Sequence, residues 1–113
     1  KKIFDYESHL KWLKRKLLDK NVIFLIAEFH SKPIGVIRFD IQENEAFISL
    51  YKVPKSPKSF GLIKKSTAWL FLNYPNIKKI RAEILAHNKK SYKAFSSAGF
   101  KGSTSKMYLK NKA

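Results

Sequence analysis

Ala46-Phe47-Ile48-Ser49-Leu50-Tyr51-Lys52-Val53 reads as a β-strand that Pro54 ends. Aromatic and apolar residues suit a pleated, half-buried surface, and proline cannot donate to a ladder. The loop Lys55-Ser56-Pro57-Lys58-Ser59-Phe60-Gly61 follows. From Leu62 to about Asn73 the chain then carries Ile63, Thr67 and Leu70 on one side of a helix, with Trp69 close by, until Tyr74-Pro75-Asn76 stops it. Lys78 to Leu85 (KKIRAEIL) is the next strand, with Ile80, Ala82 and Ile84 facing one way and Arg81, Glu83 and Leu85 the other. A connection long enough to hold a helix is a crossover, so these two strands are expected to lie parallel.

Upstream, Asn21 to Glu28 (NVIFLIAE) and Ile34 to Ile41 (IGVIRFDI) read as strands joined by a turn at His30-Ser31-Lys32-Pro33. Gln42-Glu43-Asn44 then leads into Ala46–Val53. Short polar turns between apolar runs predict an antiparallel meander. Before it, Asp5 is placed to cap a helix from Tyr6 to about Asp19, with Leu10, Leu13 and Leu17 as its stripe and His9 and Trp12 beside it. Downstream, Asn88 opens a short helix from Lys89 to Ala98, Gly99 ends it as a left-handed cap, and a last strand lies near Ser105 to Lys110. The expected order is α-β-β-β-α-β-α-β. The fold class is α/β (α+β): a mixed, mostly antiparallel central sheet with helices on both faces.

With 113 residues, 44% of them hydrophobic and 14% aromatic, the chain is read as one domain over residues 1–113 that closes a single core. It holds no cysteine, which removes thiol nucleophiles, disulfides and cysteine metal sites; no metal is expected. No apolar run reaches the ~20 residues of a membrane span, and Lys1-Lys2-Ile3-Phe4-Asp5 is no signal peptide, so a cytoplasmic protein without a membrane partner is expected. The formal charge is +16, with arginine only at Arg15, Arg38 and Arg81. Such a field favours anions, whether nucleic acid, acidic membrane or a phosphate-rich cofactor, and charge alone does not choose among them.

Two segments suggest chemistry. The loop that ends in Lys58-Ser59-Phe60-Gly61 feeds a helix N-terminus, where unpaired N–H groups and the positive end of the dipole await an anion; Lys55, Lys58, Lys64 and Lys65 surround it. The plainer reading of Gly61 is a turn. The second segment is Asn88-Lys89-Lys90-Ser91-Tyr92-Lys93-Ala94-Phe95-Ser96-Ser97-Ala98-Gly99-Phe100. A capped helix packing Tyr92 and Phe95 accounts for every residue type in it.

Asn-x-x-Ser-x-x-x-Phe-x-x-x-Gly-Phe after a strand resembles the C-terminal signature of the GNAT acetyltransferases. Lys58-Ser59-Phe60-Gly61-Leu62-Ile63 occupies the slot of that family's Arg/Gln-x-x-Gly-x-Gly/Ala loop. The two fall in the family's order, and the likeness covers nearly the whole chain. Ser8 to Leu13, Phe24 to Glu28 and Lys32 to Asp40 are similar to a subgroup acting on nucleotide-linked amino sugars in pseudaminic and related nonulosonic acid biosynthesis. Ribosomal-protein N-terminal acetyltransferases share part of that pattern.

The resemblance implies transfer of acetyl from acetyl-CoA to a primary amine. It implies a strand ending Ser49 to Val53 that splays from its neighbour. Leu50, Tyr51, Lys52 and Val53 would then meet the pantetheine arm, with an N–H near Leu50 or Tyr51 polarising the thioester. Amides from Ser59 to Lys64 (Ser59, Phe60, Gly61, Leu62, Ile63, Lys64), with Lys58 beside them, would hold the pyrophosphate; Asn88, Ser91 and Phe95 would line the channel. Glu83, His30, His87 or a water chain would take the amine proton, the plainer reading of Glu83 being a solvated surface carboxylate.

The chain departs from the family pattern at several points. Phe95 stands where the family has a Tyr that protonates the thiolate, so Tyr92 or Tyr51 would substitute, or the thiolate would leave unaided. Ser59 and Ile63 replace small or Gly positions, and Lys58 replaces the family's Arg or Gln, keeping charge without the planar fork. The family's N-terminal strand and helix are not found, so an N-terminally short domain lacking some of the acceptor pocket is expected, its activity in question. An oligomer is compatible with all of this. The alternatives are a protein or peptide N-acetyltransferase, an acyl-CoA binder without turnover, and a nucleic-acid-binding module. The last is disfavoured because no helix-turn-helix, RNA-recognition or zinc signature occurs and the aromatics fall on apolar faces.

Overall fold

A computed structural model describes residues 10–16 by their backbone, and residues 21–52, 61–84 and 88–112. Strands β1 (Leu10–Lys16), β2 (Val22–Phe29), β3 (Lys32–Gln42) and β4 (Glu45–Lys52) come first. Helix α1 (Leu62–Asn73), β5 (Lys79–Glu83), α2 (Lys89–Ser97), β6 (Lys101–Gly102) and β7 (Lys106–Lys110) follow. They form one mixed sheet in the order β1-β2-β3-β4-β5-β7-β6, antiparallel throughout except for the parallel β4–β5 pair. The crossover through α1 thus joins the parallel pair expected from its length.

The N-terminal helix expected over Tyr6 to Asp19 is corrected where it can be seen. Leu10–Lys16 is a strand, paired from Leu10↔Phe29 to Lys16↔Ile23; the rest of that span lies outside the described residues. Leucines three and four apart define a helical stripe only if no better partner exists. Here all seven residues pair with the free edge of β2, alternate ones through their backbone N–H and C=O, and tertiary pairing overrides local periodicity. Two smaller differences also come from pairing. The β2–β3 turn shrinks to His30-Ser31, both at positive φ (53° and 67°), so β3 begins at Lys32. The last strand gains a two-residue companion, β6.

Alternation divides the sheet. Ile23, Leu25, Ile37, Phe39, Ala46, Ile48, Ile80, Ala82 and Met107 turn to one face and are buried there with Leu62, Ile63 and Leu70 of α1 and Phe95 of α2. The opposite face carries Phe24, Arg38, Phe47, Tyr51, Arg81 and Tyr108, and no helix among the described residues covers it. Two buried hydroxyls on α1 are satisfied within the helix: Ser66 donates to Ile63 O (3.2 Å), Thr67 to Ile63 O (2.8 Å). Burial of such polar groups therefore adds no unpaired donor to the core.

Gly35 sets how α1 sits. A Cβ there would lie 2.9 Å from Leu62 Cδ1 and 3.4 Å from Tyr51 O, so only a bare α-carbon lets the start of the helix press against β3. That contact holds the helix N-terminus beside the far end of β4, since Gly35 pairs with Lys52. An isolated glycine inside a strand pattern was the available sequence signal for such an approach.

Candidate functional site

The β4–β5 ladder is short. It runs Glu45↔Lys79, Ala46↔Ile80, Phe47↔Arg81 and stops, although β4 continues to Lys52 and β5 to Glu83. Strand phase tells which groups this leaves open. Lys78 N donates to Asn44 O (2.7 Å), so even-numbered residues of β4 point their peptide groups towards β5. Alternate residues share an edge. Ile48, Leu50 and Lys52 therefore present N–H and C=O to the opening, and Tyr51 presents its own to β3 instead. Of the two amides that the sequence left open, Leu50 faces the gap and Tyr51 does not.

Helix α1 begins at the mouth of the same opening. Gly61, its N-cap, adopts φ 71°, ψ 34°, a left-handed conformation that glycine takes without strain, and Lys65 N donates to its carbonyl at 2.9 Å. No side chain caps the helix, and no acidic residue occupies its first turn, where Lys64 and Lys65 stand instead. Two cations at the positive end of a dipole are unfavourable alone and become favourable once an anion sits on the amides of Leu62, Ile63 and Lys64. Val53, Lys58, Ser59 and Phe60 lie outside the described residues, as does His87.

Asn88 caps α2, its Oδ1 accepting from Ser91 N at 3.0 Å. The other end closes as expected: Gly99, at φ 101°, donates to Ser96 O and Phe100 N to Phe95 O, both at 3.0 Å. Phe95 is buried and meets Phe100 edge-on at 5.0 Å. Tyr92, one turn earlier, is partly buried against the core, and Ser91 is half-buried.

Glu83 and Tyr51 lie on the opposite face of the sheet from these helices, both exposed. Glu83 borders a recess of about 270 Å³ with Phe47, Arg81 and Lys106 at the point where the ladder ends. No hydrogen bond joins Glu83 to Tyr51 or Tyr92 among the described residues. His30 stands in the β2–β3 turn with its ring against Phe29 (4.2 Å), two strands from the opening. One pair was not foreseen: Arg81 reaches across the parallel ladder to Glu45, Nε to Oε1 2.6 Å and Nη2 to Oε2 3.4 Å. The hydrogen bond from that guanidinium holds the Glu45 carboxyl below its ordinary range. No sequence pattern joins residues that far apart, and only the register brings them together. No group of three or more metal-ligating side chains occurs among the described residues.

No family model matches the sequence. A stretch of 73 residues is 36% identical to the UDP-N-acetylenolpyruvoylglucosamine reductase of Buchnera aphidicola, but this covers 65% of the chain and only 19% of that protein. Solved structures align far more completely. The N-acetyltransferase PseH of Campylobacter jejuni superposes with a TM-score of 0.64 at 21% identity, over 82% of this chain and 70% of its own. It has also been solved with acetyl coenzyme A bound. The spermidine N-acetyltransferase of Vibrio cholerae, in complex with CoA and spermine, superposes with a TM-score of 0.72 at 19% identity, over 95% of this chain and 72% of its own. These structures differ widely from the chain in sequence, and the fold of this chain is that of the GNAT N-acetyltransferases.

Proposed function

We propose that the chain transfers acetyl from acetyl-CoA to a primary amine, and that the acceptor is a nucleotide-linked amino sugar. The observation that carries this reading is the ladder that breaks after Phe47↔Arg81, beside a helix start bearing two lysines and no carboxylate. A gap lined by strand amides suits the amide-rich pantetheine arm, and the helix start suits a diphosphate. Residues Ser59 to Lys64 hold the pyrophosphate through backbone N–H groups, with Lys58 adding charge, while Leu50, Lys52 and Val53 flank the arm. Ser91 and Phe95 border the channel, and Asn88, its Oδ1 engaged in capping, offers its Nδ2.

The neutral amine attacks the thioester carbonyl carbon while Leu50 N–H stabilises the oxygen on which charge develops. The C–N bond forms as the C–S bond breaks. Glu83, directly or through water, takes the amine proton. Tyr92 supplies a proton to sulfur in place of the hydroxyl that Phe95 lacks, with Tyr51 on the opposite face as the other phenol in reach of the opening. Holding both reactants in one cleft supplies most of the acceleration.

The +16 charge favours an anionic acceptor over a polyamine, since a polycation is repelled and a diphosphate attracted. Arg81 and Lys106 beside Glu83 extend that preference to the recess. Phe95, buried against Phe100 without a hydroxyl, favours a second reading in which the domain binds acyl-CoA without turnover. Thermal-shift titration with acetyl-CoA should stabilise the protein in proportion to the logarithm of its concentration, by about 2.7 kcal/mol at a hundredfold excess over Kd. Thiol release should then follow with a nucleotide-linked amino sugar and not with spermidine. Binding without release selects the second reading; no binding removes both.

A further inference from the structure

We infer that the open edge of β7 is a docking strand for an extended acidic peptide segment, on a surface that shares only Lys64 with the acetyl-transfer reading above. Strand phase again identifies the free groups. Asn111 N donates to Lys78 O and Ile84 N to Ser105 O, so odd-numbered residues of β7 face β5 and Lys106, Tyr108 and Lys110 face the other edge. There β6 pairs with Met107 and Tyr108 only, and Ser103 N donates to Lys106 O at 3.0 Å. Beyond Tyr108 the neighbour is lost, because Gly99 and Phe100 turn back onto α2 through the Phe100 N–Phe95 O bond. Lys110 therefore directs its N–H and C=O into a gap of about 640 Å³, which Lys112, just past the end of β7, also lines.

The rim of that gap is Lys64, Lys101, Lys110 and Lys112, with no carboxylate among its described residues. Lysines on a sheet edge commonly act as guards against pairing. Their guard is selective: they repel a basic strand, a second copy of this lysine-rich edge included, and attract a strand with acidic side chains. Unpaired peptide groups at strand spacing are what a β-addition partner uses, with flanking charge for selection. A nucleic acid fits less well. The ring of Tyr108, the one aromatic among the described residues at the gap, has Lys79 and Lys110 ammonium groups 5.3 and 5.9 Å from its centroid, so it is not offered as a stacking platform.

The test uses the whole chain and a fluorescently labelled alternating Glu-Val peptide, read by anisotropy. Comparison probes are the alternating Lys-Val peptide, the Glu-Val peptide N-methylated at alternate residues, and a short single-stranded RNA. Saturable binding of the Glu-Val peptide is expected, with perturbation of the Lys110 and Lys112 amide resonances. N-methylation removes backbone donors and should weaken binding about tenfold, the worth of one or two hydrogen bonds. Lys110→Glu/Lys112→Glu should weaken it at least as much while leaving the melting temperature and the acetyl-CoA shift unchanged. Should that variant fail to fold, the N-methylated probe on the unaltered protein decides alone. Equal affinity for the N-methylated peptide, binding of RNA in its place, or no binding of the Glu-Val peptide overturns the inference.

Discussion

Gly35→Ala is the most informative substitution, because a single methyl group tests how α1 is held against the sheet. The new Cβ would lie 2.9 Å from Leu62 Cδ1 and 3.4 Å from Tyr51 O. Carbon–carbon contacts are optimal near 3.5–4.0 Å, so Leu62 must retreat by roughly 0.6–1.1 Å. It is 1% exposed, and the backbone carbonyl on the other side is fixed by its ladder, so neither neighbour yields freely. Overpacking of this kind costs about 1–3 kcal/mol. Against that, replacing glycine in a strand recovers roughly 0.5–1 kcal/mol of chain entropy, so a net loss of about 0–2.5 kcal/mol is expected. In a chain of this size that lowers the melting temperature by up to about 10 °C. Leu62 is also the first residue of α1, so the shift moves the proposed phosphate amides and should weaken acetyl-CoA. Thermal denaturation and a CoA titration read both effects. A double-mutant cycle adds the control: Gly35→Ala with Leu62→Ala should cost less than the two singly, since the second change removes the clash. A Gly35→Ala protein more stable than the parent, or strictly additive costs, would refute the close-packing argument.

Three further outcomes follow from the same geometry. Asn88→Ala removes the side-chain cap of α2 and should cost about 0.5–2 kcal/mol in a denaturant melt, with Asn88→Asp retaining most of it. Glu45 has its folded pKa lowered by Arg81, so its contribution is present above the ordinary carboxylate pKa and is lost as pH falls through the lowered value; Glu45→Gln should therefore be less stable than the parent at neutral pH and equal to it in acid, and a pH-independent difference excludes the pairing. Tyr92→Phe should lower the rate of CoA release about tenfold with little change in KM, a modest loss because thiolate is a weakly basic leaving group; an unchanged rate moves the acid elsewhere.

Local chemistry alone made much of this protein legible. Alternating apolar residues in Asn21–Val53, the cap at Asn88, the stop at Gly99 and the helix from Leu62 to Asn73 each follow from dihedral preferences and periodicities that act over a few residues. The parallel pair followed too, since parallel neighbours need a connection about as long as the helical one found here. Leu10–Lys16 was misread because its leucine spacing is a local signal, whereas its partner, the edge of β2, exists only in the assembled sheet. The same reason hid the site's finer features. Which amide of Leu50 and Tyr51 faces the opening depends on strand phase, the Glu45–Arg81 pair on parallel register, and the bareness of Gly35 on where a helix from elsewhere in the chain comes to rest. Composition and spacing determine which elements form; only packing decides which of their groups meet, because contact between residues distant in sequence is a property of the register and not of either residue.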